Sequence, residues 1–218
     1  AEAILKEGGK VAITSRSKQS ADDAVQSLKD KTGNDAVLGF ESDVKDAKSQ
    51  QNAIGEIVNK WGGIDLVVAN AGVGHFASIE ELTHEQWQQT IDTNLTGVFN
   101  TIKASVESLK DSKGFFITIS SLAGTNFFAG GAAYNASKFG LTGFTQAVMM
   151  DLRKHGIRVS TIMPGSVATY FNDHQPSEAD AWKIQIEDIG EMVTNLVRLN
   201  ARTLPSKIEV RPSMLPSK

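Results

Sequence analysis

Short apolar runs alternate along this chain with longer segments of helical periodicity, and this alternation limits the possible folds more than any other feature. The runs predicted as strands are residues 10–15, 36–41, 64–69, 115–120, 157–163 and 208–211. The segments predicted as helices are residues 18–31, 45–61, 83–110, 132–155 and 187–199. Most of the strand runs are continuously apolar, which is typical of a parallel sheet covered by helices on both faces. The pattern predicts an α/β fold with a doubly wound parallel sheet in three layers, α/β/α.

The composition excludes several classes of function. The 218 residues include 22 Lys and Arg against 25 Asp and Glu, a net charge of −3, which argues against binding to nucleic acid or to a membrane surface. There is no Cys, so disulfides, thiolate nucleophiles and cysteine-based zinc sites are excluded. The four His residues lie far apart in the sequence without ligand spacing, and no metal site is predicted. Without a long apolar run or a secretory signal, the expected location is the cytoplasm.

The first residues predict the end of a helix rather than its beginning. Residues 1–7 have helical character and are followed by Gly8 and Gly9, a pair that typically ends a helix. A crossover helix in a parallel sheet needs a strand before it. We therefore expect residues 1–218 to form a single domain that is N-terminally incomplete, with one strand and a turn missing upstream.

A catalytic site is indicated by the combination of Ser121, Tyr134 and Lys138. Tyr134 and Lys138 are four residues apart near the start of a predicted helix, so their side chains lie on one face, with an ammonium beside a phenol. A cation next to a phenol favours the phenolate and lowers the pKa of the tyrosine, which turns it into a usable base. Ser121 follows a predicted strand at its carboxyl end, where open α/β sheets build their sites. Each residue alone could be structural, as a turn serine, a helix-start aromatic or a solvated lysine.

The order of the motifs resembles that of the short-chain dehydrogenase/reductases over nearly the whole chain. Asn70-Ala71-Gly72 is similar to the family's Asn-Asn-Ala-Gly element, with Ala69 in place of the first Asn. The segment 92–95 resembles the one that carries the family's catalytic Asn, here Asn94. The segment 164–169 resembles the family's turn around the nicotinamide, with matching residues Pro164, Gly165, Val167 and Thr169.

This resemblance implies a Rossmann-like nucleotide-binding fold and an oxidoreductase mechanism. Hydride would pass between a nicotinamide and a carbonyl carbon while Tyr134 exchanges a proton with the oxygen. Ser121 would polarise the carbonyl. Lys138, aided by the cationic nicotinamide ring of the oxidised cofactor, would lower the pKa of Tyr134, and it would also bind the nicotinamide ribose. Asn94 would hold a water that connects Lys138 to solvent. The implied substrate is a small ketone, aldehyde or 3-oxoacyl compound, or the corresponding alcohol.

The end of the first strand indicates which cofactor is preferred. The sequence there is Thr14-Ser15-Arg16-Ser17 and carries no acid to accept hydrogen bonds from the ribose hydroxyls. An arginine at this place suits a 2′-phosphate, so we expect NADP(H) rather than NAD(H), bound by Arg16 and Ser15. Arg16 could instead be a solvated residue at a strand end. Asp43 and Val44 resemble the family's adenine-contacting pair, although Asp43 could instead cap the next helix.

One departure from the family pattern opens an alternative. The glycine-rich phosphate loop, expected just before residues 1–7, does not occur in these 218 residues. A segment missing upstream would explain this. The alternative is a catalytically silent nucleotide-binding or interaction scaffold that has lost the loop.

The helix predicted at residues 132–155 indicates that copies of the chain assemble. The helix is apolar on more than one side, and the family commonly forms dimers and tetramers, so a homo-oligomer is expected. A monomer with a well-buried helix is the alternative.

The substrate is expected to bind in an open pocket. This pocket is lined in part by Phe127, Phe128, Tyr170 and Phe171.

Overall fold

A computed structural model describes residues 1–214 of the chain. The strands are β1 Val11–Ser15, β2 Val37–Glu41, β3 Leu66–Ala69, β4 Phe115–Ile119, β5 Arg158–Pro164 and β6 Lys207–Val210. The α-helices are α1 Glu2–Lys6, α2 Lys18–Thr32, α3 Ala47–Trp61, α4 His84–Ile91, α5 Gly97–Ser112, α6 Ala132–Leu152 and α7 Ile186–Arg198. In this described range, no helix has the length and apolar character needed to cross a membrane.

The strands pair in parallel throughout, which confirms the predicted α/β class. Among residues 1–214 they form two hydrogen-bonded ladders, β1-β2 and β3-β4-β5-β6, rather than one continuous sheet. The edge strands β1 and β3 are only half-buried, and Val68 of β3 is 39% exposed. Residues Phe115–Thr118 of β4, inside the larger ladder, are all buried. Within residues 1–214, β1 is paired only with β2 and β3 only with β4, so each has one side without a strand partner.

The larger ladder separates two apolar layers. Side chains alternate along a strand, so Phe116 of β4 packs into one cluster and Phe115 and Ile117 pack into the other. The first cluster includes Val98 and Ile102 of α5 and Leu141 of α6. The second includes Val193 and Leu196 of α7. This is the predicted three-layer arrangement, and it holds β4 and β5 rigidly at the centre.

The helix predicted at residues 83–110 is interrupted. Thr83 begins it with a capping box that involves Gln86, but α4 ends at Ile91 and a π-helical turn, Asp92–Thr96, precedes α5. Asn94 lies inside this turn and is fully buried. A π-helical turn inserts an extra residue and is frequent at functional sites. Here it turns Asn94 toward the loop after β3.

The other helix ends differ from the predictions by a few residues. Helix α3 begins at Ala47 rather than at residue 45, because the carboxylate of Asp46 accepts from the Lys48 N–H and caps it. Helix α6 ends at Leu152, and a 3₁₀ turn, Arg153–His155, completes the predicted segment. The predicted helix end at residues 1–7 is α1, followed by Gly8 at a φ of +80°, a conformation that favours glycine.

Candidate active site

The loops that follow β3, β4 and β5 meet the start of α6 at the carboxyl ends of the strands, where open α/β sheets bind ligands. Ser121 lies just after β4, and Tyr134 and Lys138 lie in the first turns of α6. The chain thus brings these three predicted residues to one place.

Lys138 is a buried cation beside an aromatic ring. Its side chain is 4% exposed, and its Nζ lies 5.6 Å from the centroid of the Tyr134 ring. Within the described residues, Nζ has one hydrogen-bond acceptor, the carbonyl oxygen of Ile119 at 3.1 Å. Burial lowers the pKa of Lys138 to about 8. An ammonium with three N–H groups and one acceptor is poised to donate to a further ligand.

Tyr134 is a half-buried phenol near the start of α6. Burial raises the pKa of Tyr134, and an interaction with the Ser121 hydroxyl partly opposes this rise. In the protein without cofactor, the phenol is therefore protonated at neutral pH. The predicted lowering of its pKa by Lys138 together with a cationic nicotinamide stays a prediction.

A backbone contact holds the Ser121 hydroxyl beside Tyr134. Its Oγ accepts from the Ala123 N–H at 3.1 Å and caps a short 3₁₀ turn. The buried Asn135 fixes the same loop by donating from Nδ2 to the carbonyl oxygens of Ala123, at 2.7 Å, and Asn126, at 2.8 Å. Sequence reasoning did not identify Asn135, although it lies directly beside Tyr134 in the chain.

The side chain of Asn94 ties two elements together. Its Oδ1 accepts from the Val73 N–H at 2.8 Å, and its Nδ2 donates to the Val73 carbonyl oxygen at 2.9 Å and to Ser137 Oγ at 3.0 Å. Both amide hydrogens are used, so this side chain has none left to donate to the water expected there. A Cβ built on Gly72 would lie 3.4 Å from Asn94 Oδ1 and 3.8 Å from Lys138 Nζ. Asn70 and Ala71, before this glycine, are exposed.

The segment 164–169 extends β5 toward the same region. Pro164 is buried at the end of β5, and the Gly165 N–H donates to the Val210 carbonyl oxygen at 2.8 Å. Val167 forms an isolated bridge with Ile184, and the Thr169 hydroxyl oxygen accepts from the Phe171 N–H at 3.3 Å. These contacts place the turn between the end of β6 and the segment 170–185.

The residues predicted for the adenosine end lie on the smaller ladder. Ser15 ends β1, and the exposed Arg16 follows it. No carboxylate in residues 1–214 forms an ion pair with Arg16, so its guanidinium is available. Ser17 accepts from the Ser20 N–H as the N-cap of α2. The register places the exposed Glu41 opposite Ser15, an acid that sequence reasoning did not consider.

Asp43 and Val44 lie in the turn before α3. Asp43 Oδ1 accepts from the Lys45 N–H at 2.9 Å, so it shapes this turn, whereas Asp46 caps the helix. Asn100 of α5 donates from Nδ2 to the Val44 carbonyl oxygen at 2.9 Å. The π-helical turn and α5 therefore connect Asn94 with the turn that carries Val44.

Aromatic rings surround Tyr134 on the solvent side. The Phe76 ring lies 5.3 Å from the Tyr134 ring, and the Phe171 ring lies 5.9 Å from it. Phe128 packs on Phe76 at 5.9 Å. Phe127 and Tyr170 were also expected in the pocket; within residues 1–214 they are 87% and 74% exposed and pack on none of these rings, so they lie outside this aromatic group.

Sequence reasoning missed Phe76. Its position four residues after Gly72, in a loop that follows a strand, is the signal that could have found it.

A parallel α/β fold with these groups at the ends of its strands defines the class, and comparison with known proteins identifies the family. The family model described as short chain dehydrogenase matches residues 1–180. The chain belongs to this family of oxidoreductases.

Two curated relatives show the range of activities among similar proteins. A trans-4-hydroxycyclohexanecarboxylate dehydrogenase from Sinomonas cyclohexanicum is 41% identical over 137 residues, 63% of this chain and 53% of that protein. A 3-oxoacyl-[acyl-carrier-protein] reductase from Staphylococcus aureus is 34% identical over 172 residues, 78% of this chain and 69% of that protein. The chain thus spans about half the length of the first of these relatives.

Similar solved structures cover nearly the whole chain. An alcohol dehydrogenase from Thermococcus sibiricus, in complex with 5-hydroxy-NADP, has a TM-score of 0.90 and 26% identity over 100% of this chain and 92% of that one. A metagenomic short-chain oxidoreductase in complex with NADP has a TM-score of 0.82 and 28% identity over 99% of this chain and 90% of that one.

Proposed function

We propose that this protein transfers a hydride between NADP(H) and the carbonyl or alcohol carbon of a small ketone, aldehyde or 3-oxoacyl compound. Tyr134 is the general acid and base. The observation that carries this proposal is the buried ammonium of Lys138, which lies beside the Tyr134 phenol and has one backbone acceptor.

The residues present fit a nicotinamide cofactor. The free N–H groups of Lys138 suit the hydroxyls of a ribose, and Gly72 has no side chain to fill the space in front of them. When bound, the nicotinamide supplies or accepts the hydride. The residues that would hold the cofactor are Ser15, Arg16, Asp43, Val44, Asn70, Ala71, Gly72, Tyr134, Lys138, Pro164, Gly165, Val167 and Thr169. The exposed guanidinium of Arg16, which forms no ion pair within residues 1–214, supports a preference for the 2′-phosphate of NADP(H), as do the NADP complexes of similar structures.

Tyr134 handles the proton. Its raised pKa keeps the phenol protonated at neutral pH, so in reduction it donates its hydrogen to the substrate oxygen while the carbon receives the hydride. Ser121 donates a hydrogen bond to the same oxygen and orients it. In oxidation, the phenolate of Tyr134 takes the alcohol proton back.

Lys138 stabilises the phenolate that this transfer leaves behind. With a pKa of about 8, it is roughly 90% protonated at pH 7. Its charge therefore faces the ring when the phenol has lost its proton. Asn94 acts as a positioning residue, because its side chain fixes the loop of Gly72 and Val73 against α6.

The domain organisation of the protein, its partners and its location are also proposals. We propose that residues 1–218 form one nucleotide-binding domain that lacks the first strand and phosphate loop of the family pattern, supported by the half-buried edge strands β1 and β3. Its partners would be a small-molecule substrate and further copies of itself, in the cytoplasm.

The test is Tyr134→Phe in the full-length protein, with Tyr170→Phe as the matched control because Tyr170 is 74% exposed. We expect Tyr134→Phe to reduce turnover of a carbonyl substrate by about 10²- to 10⁴-fold, the usual contribution of a general acid. Binding of NADPH, measured by its fluorescence, should change by no more than a few fold. Equal turnover in Tyr134→Phe and the unmodified protein would overturn the proposal. Cofactor binding without any turnover in the unmodified protein would favour the silent scaffold.

A further inference from the structure

Three phenylalanines form an aromatic cage over the catalytic phenol, and we use this name for Phe76, Phe128 and Phe171. Phe76 lies at its centre, edge-on to Tyr134 with an interplanar angle of 63° and in contact with Phe128. Phe171 approaches Tyr134 from a different loop, at 5.9 Å. The three residues are 46%, 48% and 38% exposed, so each has apolar ring surface that a ligand can still cover.

Two glycines let the rings take these positions. A Cβ on Gly74 would lie 2.7 Å from Phe171 Cζ and 3.0 Å from Phe76 Cε2. A Cβ on Gly131 would lie 2.7 Å from Phe128 Cε2. Phe171 Cζ and Phe128 Cε2 would lie closer to these Cβ atoms than real Cβ contacts allow. Both rings therefore lie directly against the glycine backbone. This close packing fixes where the rings stand.

The loops that carry the cage are bonded to one another. The Ala77 N–H donates to the Gly130 carbonyl oxygen at 2.9 Å, which joins the Phe76 loop to the Phe128 loop. The Phe128 N–H donates to Asn135 Oδ1 at 3.3 Å. The cage is thus a connected framework and requires little reorganisation to receive a ligand.

The segment 171–185 that carries Phe171 is anchored by a buried acid. Asp180 pairs with Lys183 at 2.6 Å and with His174 at 2.7 Å, and it accepts from the Ser177 N–H at 3.1 Å. We call residues 171–185 the strap. Asn172 and Asp173 have φ values of 57° and 60°, which are uncommon for residues other than glycine, so the bonds around Asp180 hold the strap in a specific shape.

The cage is free of cations on its ring faces. In residues 1–214, the cation–ring contacts involve Tyr134, Phe115 and Trp182, and none involves a cage residue. A carboxylate or phosphate placed among these phenyl rings would lose its hydration without gaining a partner. The cage therefore favours an uncharged ligand.

We infer that the cage selects uncharged ring compounds, a cyclic ketone or its secondary alcohol, over open-chain carbonyl compounds and 3-oxoacyl thioesters. The inference rests on the proposed function and names its substrate class. A ring can make offset or edge-on contacts with several phenyl groups at 4.5–7 Å. A ring also has no freely rotating chain bonds that become ordered on binding. An open chain loses conformational entropy for each such bond.

The experiment compares cyclohexanone with 2-hexanone, which has the same number of carbons, in the full-length protein with NADPH. After division by the ratio of the rates at which borohydride reduces the two ketones, we expect kcat/KM to be at least about tenfold higher for cyclohexanone, within the range that apolar pockets achieve for small differences in shape. Two further substrates complete the series, 4-oxocyclohexanecarboxylate for charge and an acetoacetyl thioester for the acyl class. Equal or better use of 2-hexanone or of the thioester would overturn the inference, as would better use of the carboxylate than of cyclohexanone.

Variants locate the preference in the cage. We expect Phe76→Leu to lower the ratio of kcat/KM values for cyclohexanone over 2-hexanone by about fivefold to tenfold. Gly74→Ala keeps every ring but displaces Phe76 and Phe171, so it should reduce the same ratio. Phe127→Leu is the matched control, since this neighbour of Phe128 is 87% exposed and outside the cage. An equal effect of Phe127→Leu and Phe76→Leu would contradict the assignment.

A binding measurement separates this inference from the proposed function. Saturation-transfer NMR with cyclohexanol and with 2-hexanol reports ring preference without turnover. Turnover of both ketones without a preference for the ring contradicts the cage alone. Preferential binding of cyclohexanol without any turnover supports the cage and contradicts the proposed chemistry. Equal binding of the two alcohols contradicts the cage whether or not the protein is active.

Discussion

Asn94 donates a hydrogen bond from Nδ2 to Ser137 Oγ over 3.0 Å, and this bond joins the π-helical turn to helix α6. Asn94 is fully buried and also clamps both the N–H and the carbonyl oxygen of Val73. A single side chain therefore connects the loop of Gly72 with the helix that carries Tyr134 and Lys138.

Asn94→Ala should destabilise the fold strongly. The substitution leaves the Val73 backbone groups without their partner, and we expect a loss of about 3 kcal/mol in the free energy of unfolding, from roughly 1 kcal/mol or more for each orphaned group. Ser137→Ala removes only one of these bonds and should cost about 1 kcal/mol. Urea denaturation of both variants measures the difference. Equal destabilisation by the two substitutions would show that the Val73 clamp contributes little.

Lys138 should make stability depend on alkaline pH. Its folded pKa of about 8 lies below the ordinary value of 10.5, so between these limits the unfolded chain binds more protons than the folded one. Stability then rises with pH in this window, by about 3 kcal/mol across it. Lys138→Met should lose this rise. Denaturation of both proteins at pH 7.5, 8.5 and 9.5 tests it, and parallel profiles would contradict the burial of a charged Lys138.

Arg16 should discriminate between the two nicotinamide cofactors. We expect Arg16→Ala to weaken binding of NADPH by about tenfold to 150-fold, because a charged hydrogen bond to phosphate is worth about 1.5–3 kcal/mol. Binding of NADH should change by less than about threefold. Arg202→Ala, another exposed arginine, is the control. Titrations followed by nucleotide fluorescence measure both constants, and an equal loss for NADPH and NADH would exclude a contact with the 2′-phosphate.

The outer face of α5 and α6 should form a contact between copies of the chain. Phe99 and Phe139 are 46% and 43% exposed, and Phe99 packs on Phe144 at 6.4 Å, so this face presents a patch of apolar rings. Sedimentation velocity should show a dimer or tetramer, and Phe139→Glu should shift it toward the monomer. Ile79→Glu, at a site 77% exposed elsewhere, should not. A monomer in the unmodified protein would contradict this prediction.

Asp180 should hold the strap in place down to low pH. Bonding to Lys183 first, and then to His174, lowers the pKa of Asp180 to about 2. The contribution of the carboxylate is therefore complete above pH 3.8, its ordinary pKa, and is lost as the pH falls through about 2. Limited proteolysis at pH 7 should cut Asp180→Asn within residues 171–185 faster than the unmodified protein. Cleavage at equal rates would contradict the anchoring role.

The local sequence pattern was enough to predict the strands and to predict that Lys138 lies beside Tyr134. Apolar runs define strands whatever follows them, and the spacing of Tyr134 and Lys138 is fixed by helix geometry. The π-helical turn was not predictable in this way, because it depends on Asn94 reaching Val73, 21 residues earlier in the chain. The period of one helix gives no sign of such a bond.

The surroundings of the Tyr134 phenol could not be predicted from the sequence either. The pKa of Tyr134 rises because loops from different strands bury it, and Phe76 and Phe171 both approach the phenol where those loops converge at Gly74. Such contacts depend on tertiary packing rather than on spacing along the chain. For the same reason, Phe127 and Phe128 look equivalent in the sequence but have different surroundings in the fold.

Helix contacts relate the two ends of the candidate site to each other. In the described range, α1 packs on α7 and α3 packs on α5, and these contacts join the smaller ladder to the larger one. Arg16 lies at the end of β1, whereas Tyr134 lies on α6 beside the larger ladder. The span that a bound dinucleotide would cover therefore depends on helix packing remote from either residue.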